Sequence, residues 1–204
     1  MQSRAATWQR QSMRSSITCA RWRAERSPGW RPIWRVDAMT EAPPQGAFWA
    51  YSLGFYDDAD TQKACLAVQG EAGADVNLVL YMLFRASRGE VLSSEAVAAL
   101  DAAIAPWREE TIVPLRELRT RLKPLGYRPD KAGQERLRAV IKKAELDAEK
   151  LEQFALEAEA PPADRTGDPM EAASANLDAY AVRLARPLPE PARERLLARF
   201  IARL

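Results

Sequence analysis

Histidine is missing from all 204 residues. Its absence removes Ser-His-Asp and Cys-His catalysis, His-ligated zinc and the usual general base near neutral pH. Cysteine is nearly missing too. Cys19 and Cys65 form no CxxC and no disulfide framework, which fits a reducing cytoplasm. Cys65 lies in an Ala/Leu stretch and reads as an inert small hydrophobe rather than a thiolate nucleophile. The longest apolar run, residues 78–84, is far short of the roughly 20 residues a membrane helix needs. The N-terminus lacks the continuous apolar core of a secretory signal. P-loop, dinucleotide fingerprint, metal-ligand spacing and nucleophile elbow are all lacking, so no catalytic residue, metal or cofactor is assigned. Val, Ile and Thr are sparse beside Ala, Leu, Glu and Arg, a balance that favours helices over strands.

The charge is unevenly divided. Residues 1–38 carry eight arginines against Glu25 and Asp37, a net +6; the whole chain carries +2, so the rest carries −4. The basic segment also holds Trp8, Trp22, Trp30 and Trp34 but shows no helical or strand period. It reads as a disordered tail. It is an upstream extension with Met39 as the true start, a targeting peptide, or an arm that binds nucleic acid; the first is preferred because a core-like segment follows Met39 closely. The mildly acidic remainder is a poor candidate for binding nucleic acid through its body.

From Phe48 onward the spacing is helical. An aromatic-rich helix ends near Asp57-Asp58. A second opens at Asp60 or Thr61 and is broken by Gly70 and Gly73. Asp75 stands as N-cap of a central apolar helix over residues 76–86, with Gly89 as terminator. Ser93 or Ser94 opens the next helix, Pro106-Trp107 restarts the chain, and Pro114 predicts a kink in the helix that ends at Lys123-Pro124-Leu125-Gly126. A long amphipathic helix over 132–159 has its apolar stripe at Leu137, Val140, Ala144, Ala148, Leu151, Phe154 or Ala155, and Ala158. Two more helices follow, one carrying Leu177 and Tyr180. The other puts Leu196, Leu197, Phe200, Ile201 and Leu204 on one face. No segment shows period-two alternation. The expected fold is all-α: a helical core over 39–128 and a C-terminal helical extension over 129–204, packed on or beside it.

Phe48-Trp49, Ala64-Cys65-Leu66 with Gln69, Gly73-x-Asp75-Val76-Asn77-Leu78, and Trp107-Arg108 followed by Val113-Pro114-Leu115-Arg116 and Arg119 occur in this order. Together, over about residues 47–124, they resemble a proteobacterial family of conserved hypothetical proteins, a domain of unknown function. Gly70 and Phe84 stand where that family's pattern has an acidic residue and a Trp. The resemblance implies a bacterial cytoplasmic setting and supplies no mechanism.

Two constellations could carry function. Asp75 with Asn77, and Gln69 and Trp49 nearby, could form a ligand site; alternatively Asp75 caps the helix, and Asn77 and Gln69 pair with each other or with loop backbone. Trp107-Arg108 with Arg116 and Arg119 forms a basic stripe that could take a phosphate, a carboxylate or an acidic partner, or lie solvated against neighbouring glutamates. The expected function is a small, non-enzymatic, cytoplasmic protein that binds another protein. The alternative is a small-molecule binder or enzyme with a polar site at the mouth of the central helix, and the third reading is nucleic-acid binding through the N-terminal arm.

Overall fold

The run of apolar residues at 78–84 forms the spine of the fold. In the computed structural model, which describes residues 46–124 and 130–204, helix α3 (Val76–Ala86) is buried along nearly its whole length. The basic segment 1–38, the Met39 start and the stop at Leu125-Gly126 lie outside the described residues. Among the described residues the chain is built of helices joined by short loops, with one two-residue ladder, and falls within one compact unit. Around α3 come α1 (Ala47–Phe55), α2 (Ala59–Ala72), α4 (Ser94–Trp107), α5 (Val113–Leu122), α6 (Lys131–Ala158), α7 (Pro169–Arg183) and α8 (Glu190–Ile201). Strands β1 (Glu90–Val91) and β2 (Arg165–Thr166) pair antiparallel, with Glu90 opposite Thr166. Two residues are too few to show a strand period, which is why the sequence gives no sign of them.

Two faces of α3 are covered differently. On one, Tyr81 and Phe84 meet Phe48 and Tyr51 of α1 in an aromatic cluster with centroid separations of 5.1–5.4 Å. On the other, α7 brings Leu177 and Tyr180 fully into the core. Asn176 of α7 is fully buried as well. Its amide donates to the carbonyls of Met82 and Glu90 and accepts from the amide of Leu92, so it pins the end of α3 to β1.

Several local expectations change. Gly70 does not break α2; the helix runs to Ala72 and ends at Gly73, whose φ of 68° is left-handed. Its N-cap is Asp58, two residues before Asp60 and three before Thr61, and Asp58 accepts from the amide of Thr61 at 2.7 Å. The predicted kink at Pro114 is a π-helical turn over Arg108–Ile112, closed by the Val113 amide donating to the Arg108 carbonyl. Proline cannot donate to the carbonyl of Glu110, and the wider turn absorbs that loss. It also rotates Arg108 away from the face of Arg116 and Arg119, so the basic stripe is split.

The packing face of α6 is not the expected one. Leu137 and Val140 are exposed, and the buried positions are Gln134, Ile141, Glu145, Ala148, Glu152, Gln153, Ala155 and Leu156. In α8, Leu196, Leu197 and Phe200 enter the core, while Ile201 and Leu204 remain exposed. The basic face of α8 is engaged within the molecule. Arg195 binds Asp58 at 2.9 Å, and Arg199 and Arg203 donate to the carbonyls that end α1, at Gly54 and Phe55.

Two glycines give opposite expectations. A methyl at Gly70 meets open space on a helix, so Gly70→Ala should stabilise by about 0.5–1 kcal/mol. Gly89 has φ 71°, and its methyl would come within 2.4 Å of the Gly167 carbonyl oxygen. Gly89→Ala should therefore cost about 2 kcal/mol or more, read from urea denaturation of both variants.

Candidate functional site at the mouth of the central helix

A cleft of about 520 Å³ opens where α1, α2, α5 and α6 surround the amino end of α3. Its upper walls are apolar: Trp49, Leu53, Tyr56, Leu66, Leu80 and Leu146. Its floor is polar, made of Asp75, Asn77, Glu152 and Gln153, each buried.

Asp75 is the N-cap of α3, accepting from the Leu78 amide at 3.0 Å through Oδ1. Its own amide donates to the Tyr180 hydroxyl at 2.8 Å. Its other oxygen, Oδ2, faces Arg108 Nη1 at 3.3 Å. Arg108 also binds Asp101 at 2.9 Å, and Asp101 binds Arg183 at 2.8 Å. Desolvation opposes the charge of Arg108, but the two aspartates keep it firmly protonated. The cap and the ion pair are thus one structure, and Arg108 supports the cleft from behind rather than lining it.

Asn77 does not pair with Gln69. It donates to Glu152 Oε2 at 2.6 Å and accepts from Gln153 Nε2 at 2.8 Å, both from α6. Glu152 is 1% exposed. Burial, reinforced by the negative charge of Asp75, pushes its carboxyl up to about 8, against the Asn77 hydrogen bond and the more distant Arg108. Glu152 is therefore largely protonated at neutral pH. Among residues that line the cleft, three fully buried polar atoms have no hydrogen-bond partner among the described residues: Ser52 Oγ, Glu152 Oε1 and Gln153 Oε1.

The cationic side of the cleft is already matched. Arg116 binds Glu145 at 3.2 Å and Glu149 at 2.8 Å, and Arg119 grips both oxygens of Glu145. Burial works against the charge of Glu145, but Arg119 and Arg116 hold it below the usual carboxylate range. Burial pushes Glu149 up, and Arg116 offsets only part of that.

Of the eight residues singled out in the sequence, Trp49, Gln69, Asp75, Asn77, Arg116 and Arg119 line this cleft. Trp107 and Arg108 do not; the Trp107 indole donates to the Ala148 carbonyl at 3.0 Å and ties the π-helical turn to α6. Sequence reasoning missed Ser52, Glu145, Glu149, Glu152 and Gln153. The signal was there: Glu145, Glu149 and Glu152 recur at spacings of four and three, in phase with the buried Ile141 and Ala148. Cys65 is fully buried and its thiol is pushed up to about 12 by burial, in keeping with the inert reading.

This is a helical protein with a preformed cleft at the end of its buried central helix. The chain belongs to the family described as protein of unknown function (DUF2390), whose pattern matches residues 47–156. The match continues beyond the motifs at 47–124 and takes in Glu145, Glu149, Glu152 and Gln153 of α6. No curated protein and no solved structure matches the chain. Among the described residues, no helix is long and apolar enough to cross a membrane.

Two substitutions test this geometry. Asp75→Ala removes a cap and leaves Arg108 with one acid fewer, so it should cost about 2–4 kcal/mol in chemical denaturation, more than the ~1 kcal/mol of a simple cap. Glu152→Gln tests the raised carboxyl. The folded form holds the proton more tightly than the unfolded chain, so the native contribution of Glu152 is full below about 4.5 and is lost as pH rises through about 8. The melting temperature of Glu152→Gln relative to the parent should thus climb by several degrees between pH 5 and pH 8. A constant difference would mean that Glu152 titrates normally.

Proposed function

We propose that this protein binds a small amphipathic molecule in the cleft at the amino end of α3, with its polar end on the floor and its apolar body between the walls. One observation supports this above others: a cleft of about 520 Å³ with apolar upper walls opens over a floor of buried polar residues. A volume near 520 Å³ lies within the roughly 300–1,000 Å³ of ordinary small-molecule sites. The reading favours binding over turnover, because the acids on the floor are neutral or paired rather than set against a nucleophile. The bacterial, cytoplasmic setting expected from the family resemblance and the sparse cysteines belongs to this proposal.

The protein-partner reading retains one specific support. Leu53, Leu66 and Leu146 stand 49–60% exposed at the rim, as an apolar helix face laid across the cleft would need. The C-terminal helix gives it less, since its arginines bind Asp58 and the end of α1.

Nile red, a neutral apolar dye, tests the cleft directly. The full chain should give saturable, blue-shifted emission at one site per molecule. Leu53→Glu and Leu66→Glu change only exposed rim positions; they should weaken the dye about tenfold while the melting temperature stays within a few degrees. Dye binding that ignores both variants would place it elsewhere and remove the support for this site.

A further inference from the structure

The positive charge of the folded chain is gathered on one hairpin. Residues 116–123 and 130–143 carry nine Lys and Arg against Glu117, Asp130 and Glu135, a net +6; residues 39–204 carry −4, so the remainder of them carries −10. The two stretches are most of α5 and the first half of α6. They lie side by side and antiparallel: Gln134 donates to the Leu122 carbonyl, Arg138 donates to the Arg119 carbonyl at 3.4 Å, and Arg116 reaches Glu149 at 2.8 Å. The fold therefore holds like charges together although their repulsion opposes it.

Pairing within the molecule answers only part of this charge. Glu145 binds Arg116 and Arg119, and Asp147 binds Lys143 at 2.8 Å. Arg121, Lys123, Lys131 and Lys142 are exposed and have no ion pair among the described residues. Arg136 meets Asp130 at 3.4 Å with both side chains more than half exposed, and such a surface pair is worth little. The same hairpin leaves Leu118, Leu137 and Val140 between 41% and 65% exposed. Leu137 lies three residues before Val140, and Arg136 and Lys143 each lie one turn from it, so apolar and basic side chains share one open face of α6.

We propose that the α5–α6 hairpin docks this protein on an anionic membrane surface. The cations suit a layer of lipid phosphates, and Leu118, Leu137 and Val140 suit the acyl boundary just beneath it. Nucleic acid answers the charge but offers its phosphates nothing that would take the leucines and the valine. An acidic protein helix would meet fixed charges in a line, whereas the four unpaired cations are divided between the end of α5 and two separate turns of α6. A net −10 over the remainder repels the rest of the molecule from the same surface, so one end faces the lipid.

Cosedimentation of the full chain with vesicles tests this in physiological salt. One set is phosphatidylcholine alone, the other phosphatidylcholine and phosphatidylglycerol in equal parts. The anionic vesicles should bind about tenfold or more tightly than the neutral ones, with the gap closing in high salt. The triple variant Arg121→Gln, Lys123→Gln, Lys131→Gln should lose about tenfold on anionic vesicles. A control with the same change of net charge outside the hairpin, Lys63→Gln, Arg165→Gln, Arg186→Gln, should lose less than about twofold. Both triples keep residues 1–38, so any binding by that segment is common to them. Leu137→Ser with Val140→Ser keeps the charge and should lose about threefold or more. All the hairpin positions changed are exposed, and each variant should melt within a few degrees of the parent. Equal affinity for the two vesicles, or equal losses in the two triples, overturns the proposal. Duplex DNA binding that falls in the hairpin triple, with the serine variant unchanged on vesicles, overturns it in favour of nucleic acid.

Discussion

The amino end of α3 has to be polar where the protein is driest, and much of the surrounding structure answers that conflict. A helix start leaves amide groups without partners. Here the start is buried, so water cannot supply them. Asp75 accepts from Leu78, and Tyr180 accepts from Asp75. The aspartate then needs a counter-charge, which Arg108 brings from the π-helical turn, held in place by Asp101 and, through it, Arg183. One capping residue thereby ties α3 to α4, the turn after it and α7. Removing any member strands a buried charge or amide, which costs more than the bond itself is worth.

The same end of α3 generates the cleft. Asn77 follows Asp75 by two residues and points its amide towards α6, where Glu152 and Gln153 complete it. These groups are joined to one another, but not fully matched: the chain of hydrogen bonds ends on Glu152 and Gln153 oxygens with nothing further to accept. The contrast with the neighbouring Arg116, Arg119, Glu145 and Glu149 cluster is informative. There every charge has a partner and the outcome is a tie between α5 and α6. Unmatched polarity on a buried floor thus lies beside matched polarity on a wall.

The helical fold was legible in the sequence because each element carries its own signal. Residues 78–84 are too continuous in apolar character to lie anywhere but the centre, and Asp75 and Ser93 cap where their side chains suggest. Long-range choices were not legible. In α6, two stripes of spacing three and four overlap and share Ala148 and Ala155; the all-apolar stripe through Leu137 and Val140 looks like the packing face, yet the one with Glu145 and Glu152 is buried. Hydrophobicity alone picks the first. The second is chosen because Arg116, Arg119 and Asn77 lie opposite it, and those neighbours are 26–75 residues away in the chain. Arg108 was misplaced for a local reason: the extra residue in the π-helical turn after Pro106 changes the phase of the residues that follow, which a regular 3.6-residue period does not register.

The central claim is that the floor of the cleft is desolvated enough to keep Glu152 protonated at neutral pH. Its most direct test is the carboxyl carbon of Glu152 followed by NMR as a function of pH, assigned by its loss in Glu152→Gln. A midpoint near 8 is the expected result. A midpoint in the ordinary carboxylate range would contradict the desolvation of the floor.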